Sequence, residues 1–93
     1  MTIQLRDYQV KAGEMEEWLA EWTASVRPLR EQFGFRILGA WVLDSERRFI
    51  WILAHEDFES ADDRYYRSPE RRALQPDPAR HLASAAQQYI RAV

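Results

Sequence analysis

The feature that most constrains this chain is a pair of apolar runs, residues 35–43 and 49–56, joined by the polar stretch Asp44-Ser45-Glu46-Arg47-Arg48. Each run has strand length, and the connection is of hairpin length. With that loop, Leu43 is expected to face Phe49 and Trp41 to face Trp51. Both faces of the hairpin are then apolar. One carries Phe35, Ile37, Gly39, Trp41, Leu43, Phe49, Trp51, Leu53 and His55; the other carries Leu38, Ala40, Val42, Ile50, Ile52 and Ala54, with Arg36 and Glu56 at the ends. An antiparallel sheet with one face in water alternates apolar with polar residues, so here each face needs a cover. Helices can supply one. Leaving roughly 500–800 Å² of the other in water would forgo about 12–20 kcal/mol at ~25 cal/mol per Å². The economical cover is a second copy of the same chain, two sheets face to face about a twofold axis.

The flanking sequence supplies the helices. Met15, Trp18, Leu19, Trp22, Val26, Leu29 and Phe33 share one helical face across residues 14–33. Glu14, Glu16 and Glu17 stand in the first turn, where the helix dipole favours negative charge, and Gly34 stands where a left-handed cap belongs. Pro28 removes one ladder hydrogen bond and is expected to kink the last turns. Residues 3–10 read as a first strand. Ser60-Ala61-Asp62-Asp63 resembles a capping box opening a short helix through Tyr65 and Tyr66, while Ser68-Pro69 and Asp77-Pro78 pair an N-cap with proline at the first helical position. The end is open to two readings: Leu82, Ala85, Ala86, Tyr89, Ile90 and Val93 fit a helix period, and a strand over 87–93 fits alternation less well.

With 93 residues there is room for one domain, spanning 1–93, and a chain of this size is marginal unless something adds buried area. There is no cysteine, which excludes disulfides, thiolate metal sites and a Cys nucleophile. A net charge of −2 with both signs interspersed argues against nucleic acid as partner. The arginines at 64, 67, 71 and 72 alternate with Asp62, Asp63 and Glu70, as on a solvated, paired face. No apolar run approaches a membrane span, and MTIQLRDY has no signal-peptide pattern, so a cytoplasmic location is expected. Neither histidine has metal-ligand spacing to another; no metal and no bound cofactor are expected.

The chemistry-bearing candidates are few. His55 ends a strand on the Trp face, where it is either a general acid/base or a hydrogen-bonded strand-end histidine. His81 reads as a surface residue of a late helix. Trp41 and Trp51, with Trp18 and Trp22 on the covering helix, form either plain core or the wall of a pocket for a flat apolar ligand. Arg6 and Tyr8 point the same way from the first strand. Arg6 and Arg36 each need a carboxylate, with Asp7, Glu56 and Asp57 as candidates, or a ligand anion. Of Tyr65 and Tyr66, one is expected to be buried and one exposed.

Leu5-Arg6-Asp7-Tyr8, Lys11-Ala12-Gly13, Pro28-Leu29-Arg30, Gly34-Phe35-Arg36, Gly39-Ala40-Trp41, Trp51-Ile52-Leu53-Ala54-His55 and Ser68-Pro69-Glu70, in that order and spacing, resemble the NIPSNAP family, in its short single-domain bacterial form. The resemblance implies an α+β, ferredoxin-like βαββαβ domain with an antiparallel sheet, paired into a dimeric α/β barrel. It favours a final strand at the ambiguous end, against helix propensity, and leaves 87–93 open between the two. It further implies a homodimer that handles a hydrophobic small molecule, aromatic or polyketide-like, by cofactor-independent oxygenation, isomerisation or cyclisation. His55 would then move a proton, Arg6 or Arg36 would stabilise an enolate-like anion, and Tyr8, Trp18, Trp22, Trp41, Trp51, Tyr65 and Tyr66 would shape the pocket. The alternative is a non-catalytic dimeric module that presents a surface to a protein partner.

Overall fold

In the computed structural model, which describes residues 1–93, β1 (Thr2–Val10) leads into α1 (Met15–Glu21). A π-helical turn (Trp22–Val26) then joins α1 to α2 (Arg27–Gln32). β2 (Arg36–Leu43) and β3 (Arg48–His55) form the hairpin; α3 (Phe58–Arg67), α4 (Pro69–Arg72) and a 3-10 turn (Pro78–His81) precede β4 (Leu82–Ile90). The four strands form one antiparallel sheet in the order β2-β3-β1-β4, with the helices on one side: a ferredoxin-like α+β fold. No helix is long and apolar enough to cross a membrane.

Local chemistry explains most of these boundaries. Pro28 has no N–H and crowds the carbonyl one turn back, and the π-helical turn immediately before it absorbs the misfit without ending the helix. Gly34 closes α2 at φ +87°, and a Cβ there would approach His55 Nε2 to 3.0 Å. Ser68 Oγ accepts from the Arg71 amide at 3.0 Å, and the Asp77 carboxylate from the Ala79 amide at 2.9 Å, so both expected N-caps form. The expected box at Ser60 does not: α3 already starts at Phe58, with Asp57 as its uncapped first boundary. The chain's end is strand, not helix. Helix propensity over Ala83–Gln88 yields because β1 would otherwise leave its outer row of amides and carbonyls unpaired.

The hairpin register differs from the expected one by a single residue. Arg48 joins β3, Arg47 takes a left-handed conformation (φ 53°), and Leu43 therefore pairs with Arg48. A one-residue slip exchanges the faces: Trp41 pairs with Ile50, and Ala40 pairs with Trp51. A bulge at Leu38 restores Ile37 to the helix side opposite Leu53. Trp41 thus stands on the outer face, 54% exposed, with its ring laid over Gly39, where any Cβ would collide with it.

The helix-side core combines Tyr8, Phe49, Trp51 and Leu53 of the sheet with Trp18, Trp22, Leu29 and Tyr65 of the helices. The outer face carries Ile3, Leu5, Trp41, Leu43, Ile50 and Ile52, none fully buried.

His81 is not a surface residue of a helix. It is 2% exposed, in the 3-10 turn before β4, with Nδ1 2.8 Å from Glu14 and Nε2 3.0 Å from Glu21. Arg80 makes two further bonds to Glu21, at 2.9 and 2.7 Å, so this turn is clamped to α1. The hydrogen bond to Glu21 raises the His81 pKa; burial opposes this, and Glu14 adds to it. A group whose pKa is raised on folding stabilises fully below its ordinary value of ~6.5, and that contribution is lost as pH rises through the higher folded value. The urea midpoint is therefore expected to fall as pH rises from about 6.5, and His81→Gln should flatten that slope. A wild-type midpoint that does not change with pH there would place no proton on the clamp.

Candidate functional site

Alternation along β1 delivers Gln4, Arg6 and Tyr8 to the helix side, and the register sets Arg6 against Trp51 and Tyr8 against Phe49. α2 delivers Arg30 from above and α3 delivers Asp62, Tyr65 and Tyr66. These groups meet in one polar layer inside the aromatic core. Arg6 and Arg30 are each 1% exposed. Both bond the same carboxylate oxygen, Asp62 Oδ1, at 3.0 and 2.7 Å. Both also donate to the Tyr66 hydroxyl, at 3.0 and 3.1 Å. Arg6 Nε is held by Gln4 at 2.7 Å. The Arg30 guanidinium lies 3.8 Å from the Tyr65 ring centroid and is ringed further by Phe35, Tyr66 and Trp51. Burial works against the Arg6 charge, but Tyr8, Tyr66 and Asp62 outweigh it and hold its pKa above the ordinary guanidinium value.

Beside this layer lies a cavity of about 150 Å³ between sheet and helices, bordered by Tyr8, Trp18, Val26, Arg30, Trp51, Tyr65, Tyr66 and Arg71, and on its remaining side by Pro78, Ala79, Leu82 and Ala85. Trp18 Nε1, Trp22 Nε1, Trp51 Nε1, Arg30 Nε and the Tyr65 hydroxyl are buried without a hydrogen-bond partner, and all but Trp22 belong to residues that border the cavity. Buried donors are nearly always satisfied, so unpaired groups on four residues of one cavity wall are an unusual concentration. Burial pushes the Tyr8 and Tyr65 phenols up, with Arg6 and Arg30 respectively pulling back, so both stay protonated and able to donate.

Of the residues singled out from sequence, Tyr8, Trp18, Trp51, Tyr65 and Tyr66 border this cavity. Arg6 stands behind it in the polar layer, paired with Asp62 rather than with Asp7, which belongs to Arg48. Trp22 is core, against Phe49 and Trp51. Trp41 and Arg36 are exposed and outside the cavity lining; the altered register puts Trp41 on the opposite face from Trp51. Tyr65 is the buried tyrosine of the pair and Tyr66 the exposed one. His55 does not border the cavity. Its Nε2 lies 2.9 Å from the Phe33 carbonyl and its Nδ1 accepts from the Asp57 amide at 2.9 Å, so both nitrogens are spent on backbone. His55→Ala is expected to cost about 1–3 kcal/mol of stability, as for a partly buried hydrogen-bonded group, and to leave ligand affinity unchanged. Parallel urea titrations and binding curves check both.

Sequence reasoning missed Arg30, Asp62 and Arg71. For Arg30 a signal existed: it continues the row Trp22, Val26 at four-residue spacing, a charge on the buried stripe. Asp62 gave none, because it reads like its neighbours on a charged helix. Glu17, Glu21 and His81 gather closely enough to hold a metal ion, but Arg80 and His81 already occupy the Glu21 carboxylate.

The NIPSNAP family model matches residues 3–92. The chain belongs to the NIPSNAP family. A crystal structure of a NIPSNAP domain protein from Burkholderia xenovorans is 20% identical, covers 100% of this chain and 95% of its own, and superposes with a TM-score of 0.86. A NIPSNAP family protein from Agrobacterium tumefaciens, 13% identical over 99% of this chain and 92% of its own, superposes at 0.88. An antibiotic biosynthesis monooxygenase is 19% identical over 100% of this chain and 99% of its own, at 0.68. At these identities the likeness is one of fold. No match is found among the curated proteins. In this NIPSNAP protein the shared scaffold holds the cavity against β1 and β3, the two central strands.

Proposed function

We propose that this NIPSNAP protein is a homodimer that binds a small hydrophobic molecule in the cavity between its sheet and helices and acts on it without a tightly bound cofactor. The observation that carries the reading is the void itself: about 150 Å³, mostly apolar in its lining, with unpartnered buried donors around it. A pure interaction module would pack this interface solid. The volume is that of one aromatic ring, which favours a single-ring ligand over a polyketide-sized one. The lining contains no carboxylate, imidazole or thiol. Among oxygenation, isomerisation and cyclisation, it therefore supports best a step in which phenol and guanidinium donors polarise a substrate oxygen while the walls fix its shape.

The outer face supports the dimer. Ile3, Leu5, Trp41, Ile50 and Ile52 form one apolar surface with no element of the chain over it, and a second sheet about a twofold axis would cover it. Light scattering at micromolar concentration is expected to give about twice 11.1 kDa, and Trp41→Glu should give the monomer mass. Binding is tested by tryptophan fluorescence and thermal unfolding against single-ring aromatics, since Trp18 and Trp51 border the void. Saturable quenching with a raised unfolding temperature is the expected result. If no ring-sized compound has either effect, the small-molecule reading fails and the interaction module takes its place.

A further inference from the structure

We infer that the ligand of this cavity is a monoanion, a single aromatic or similarly compact apolar ring bearing one carboxylate or enolate, whose negative charge completes the Arg6–Asp62–Arg30 layer. The inference rests on the small-molecule reading above and adds to it the ligand's charge and size. Two guanidiniums, each 1% exposed, share one carboxylate oxygen. One positive charge is left without an anion in a setting where an unpaired charge is costly. The nearby acids are engaged elsewhere: Asp63 pairs with Arg67 at 3.2 Å, Glu59 accepts from the Tyr89 hydroxyl at 3.4 Å, and Asp77 takes Arg71 at 2.9 Å.

The surplus charge is directed at the void. Arg30 and Arg71 both border it, whereas Asp62 does not. Arg30 spends one bond on Asp62 and one on Tyr66, and its Nε is buried and unpartnered. The hydroxyl of Tyr65, another lining residue, is likewise unpartnered. The remaining walls are Trp18, Trp51, Val26 and Leu82, which suit the faces and edge of a ring. A void of about 150 Å³ holds a ring the size of benzene. The arrangement thus selects on both properties: a neutral ring leaves the guanidinium uncompensated, and an inorganic anion leaves the aromatic walls empty.

Benzoate is the probe, with benzyl alcohol as its neutral counterpart and sodium phosphate as the ring-free anion, each titrated calorimetrically at fixed ionic strength into the 93-residue protein. Benzoate is expected to bind at least about tenfold more tightly than either comparison compound. Arg30→Met should weaken benzoate by about tenfold or more and benzyl alcohol by less than about threefold, since a neutral hydroxyl loses a hydrogen bond but no charge pairing. Asp62→Asn changes the sign of the effect. It enlarges the surplus charge without altering side-chain shape and should tighten benzoate about fivefold, an outcome that a merely damaged site cannot produce. Equal affinity for benzoate and benzyl alcohol, or an Asp62→Asn variant that does not gain, overturns the anion assignment and leaves the hydrophobic pocket standing. Binding of neither overturns both.

Discussion

Replacing Trp51 with alanine is expected to remove about 3–5 kcal/mol of folding stability, the range for truncating a buried aromatic. Trp51 is 1% exposed at the centre of the sheet. It packs edge-on to Tyr8 and Trp22, with ring centroids at 6.2 and 5.5 Å, and the Arg6 and Arg30 guanidiniums lie over it at 5.9 and 5.7 Å. Its loss would enlarge the existing cavity, because the sheet and α2 are held apart by the polar layer and cannot close on the space. It would also leave two buried cations facing a void where they now face an aromatic ring. Urea unfolding followed by circular dichroism checks this. A loss below about 1.5 kcal/mol would mean that the core collapses around the site and that the polar layer does not hold it open.

The second large effect concerns charge balance and is stated as an ordering. Asp62→Ala leaves two buried guanidiniums with no carboxylate, and breaking a fully buried pair this way costs about 3–5 kcal/mol. Asp62 retains 22% side-chain exposure, so some of that is recovered by water and about 2–4 kcal/mol is expected. Arg30→Met, at a more deeply buried position, is expected to cost less than about 1.5 kcal/mol. It removes the surplus charge, leaves Arg6 and Asp62 as a one-to-one pair, and keeps a flexible apolar chain against Tyr65 and Phe35. Sequence intuition ranks these the other way, since Arg30 is the larger and more buried residue. If Arg30→Met proves the more damaging, the aromatic cage around Arg30 outweighs the charge balance. Both are measured as midpoint shifts at constant m-value.

What was legible in the sequence was local. The long helix, its end at Gly34, the caps at Ser68 and Asp77, and the two apolar hairpin strands follow from spacing and turn chemistry within a few residues, and such signals survive folding unchanged. The doubly apolar hairpin also carried the expectation of a covered outer face, and the linear order of short motifs carried the family. His55 misled because strand-end position and residue type look the same for a proton carrier and for a histidine bonded to backbone; only the Phe33 carbonyl and the Asp57 amide distinguish them.

Tertiary structure decided the rest. One residue of hairpin loop exchanged the faces of β2 and moved Trp41 away from Trp51, because strand side chains alternate with a period of two and a single-residue change inverts them. The free edge of β1 turned a helix-prone tail into β4. The polar layer joins positions 6, 30 and 62, far apart in the chain and each ordinary in its neighbourhood. Periodicity reports which side of an element is buried. It does not report which distant charge arrives at the same place, and Coulomb interactions at 3 Å depend on that arrival alone. Pattern along the chain already implies a sheet with helices on one face and apolar residues on both; where the charges meet was set only when the elements packed.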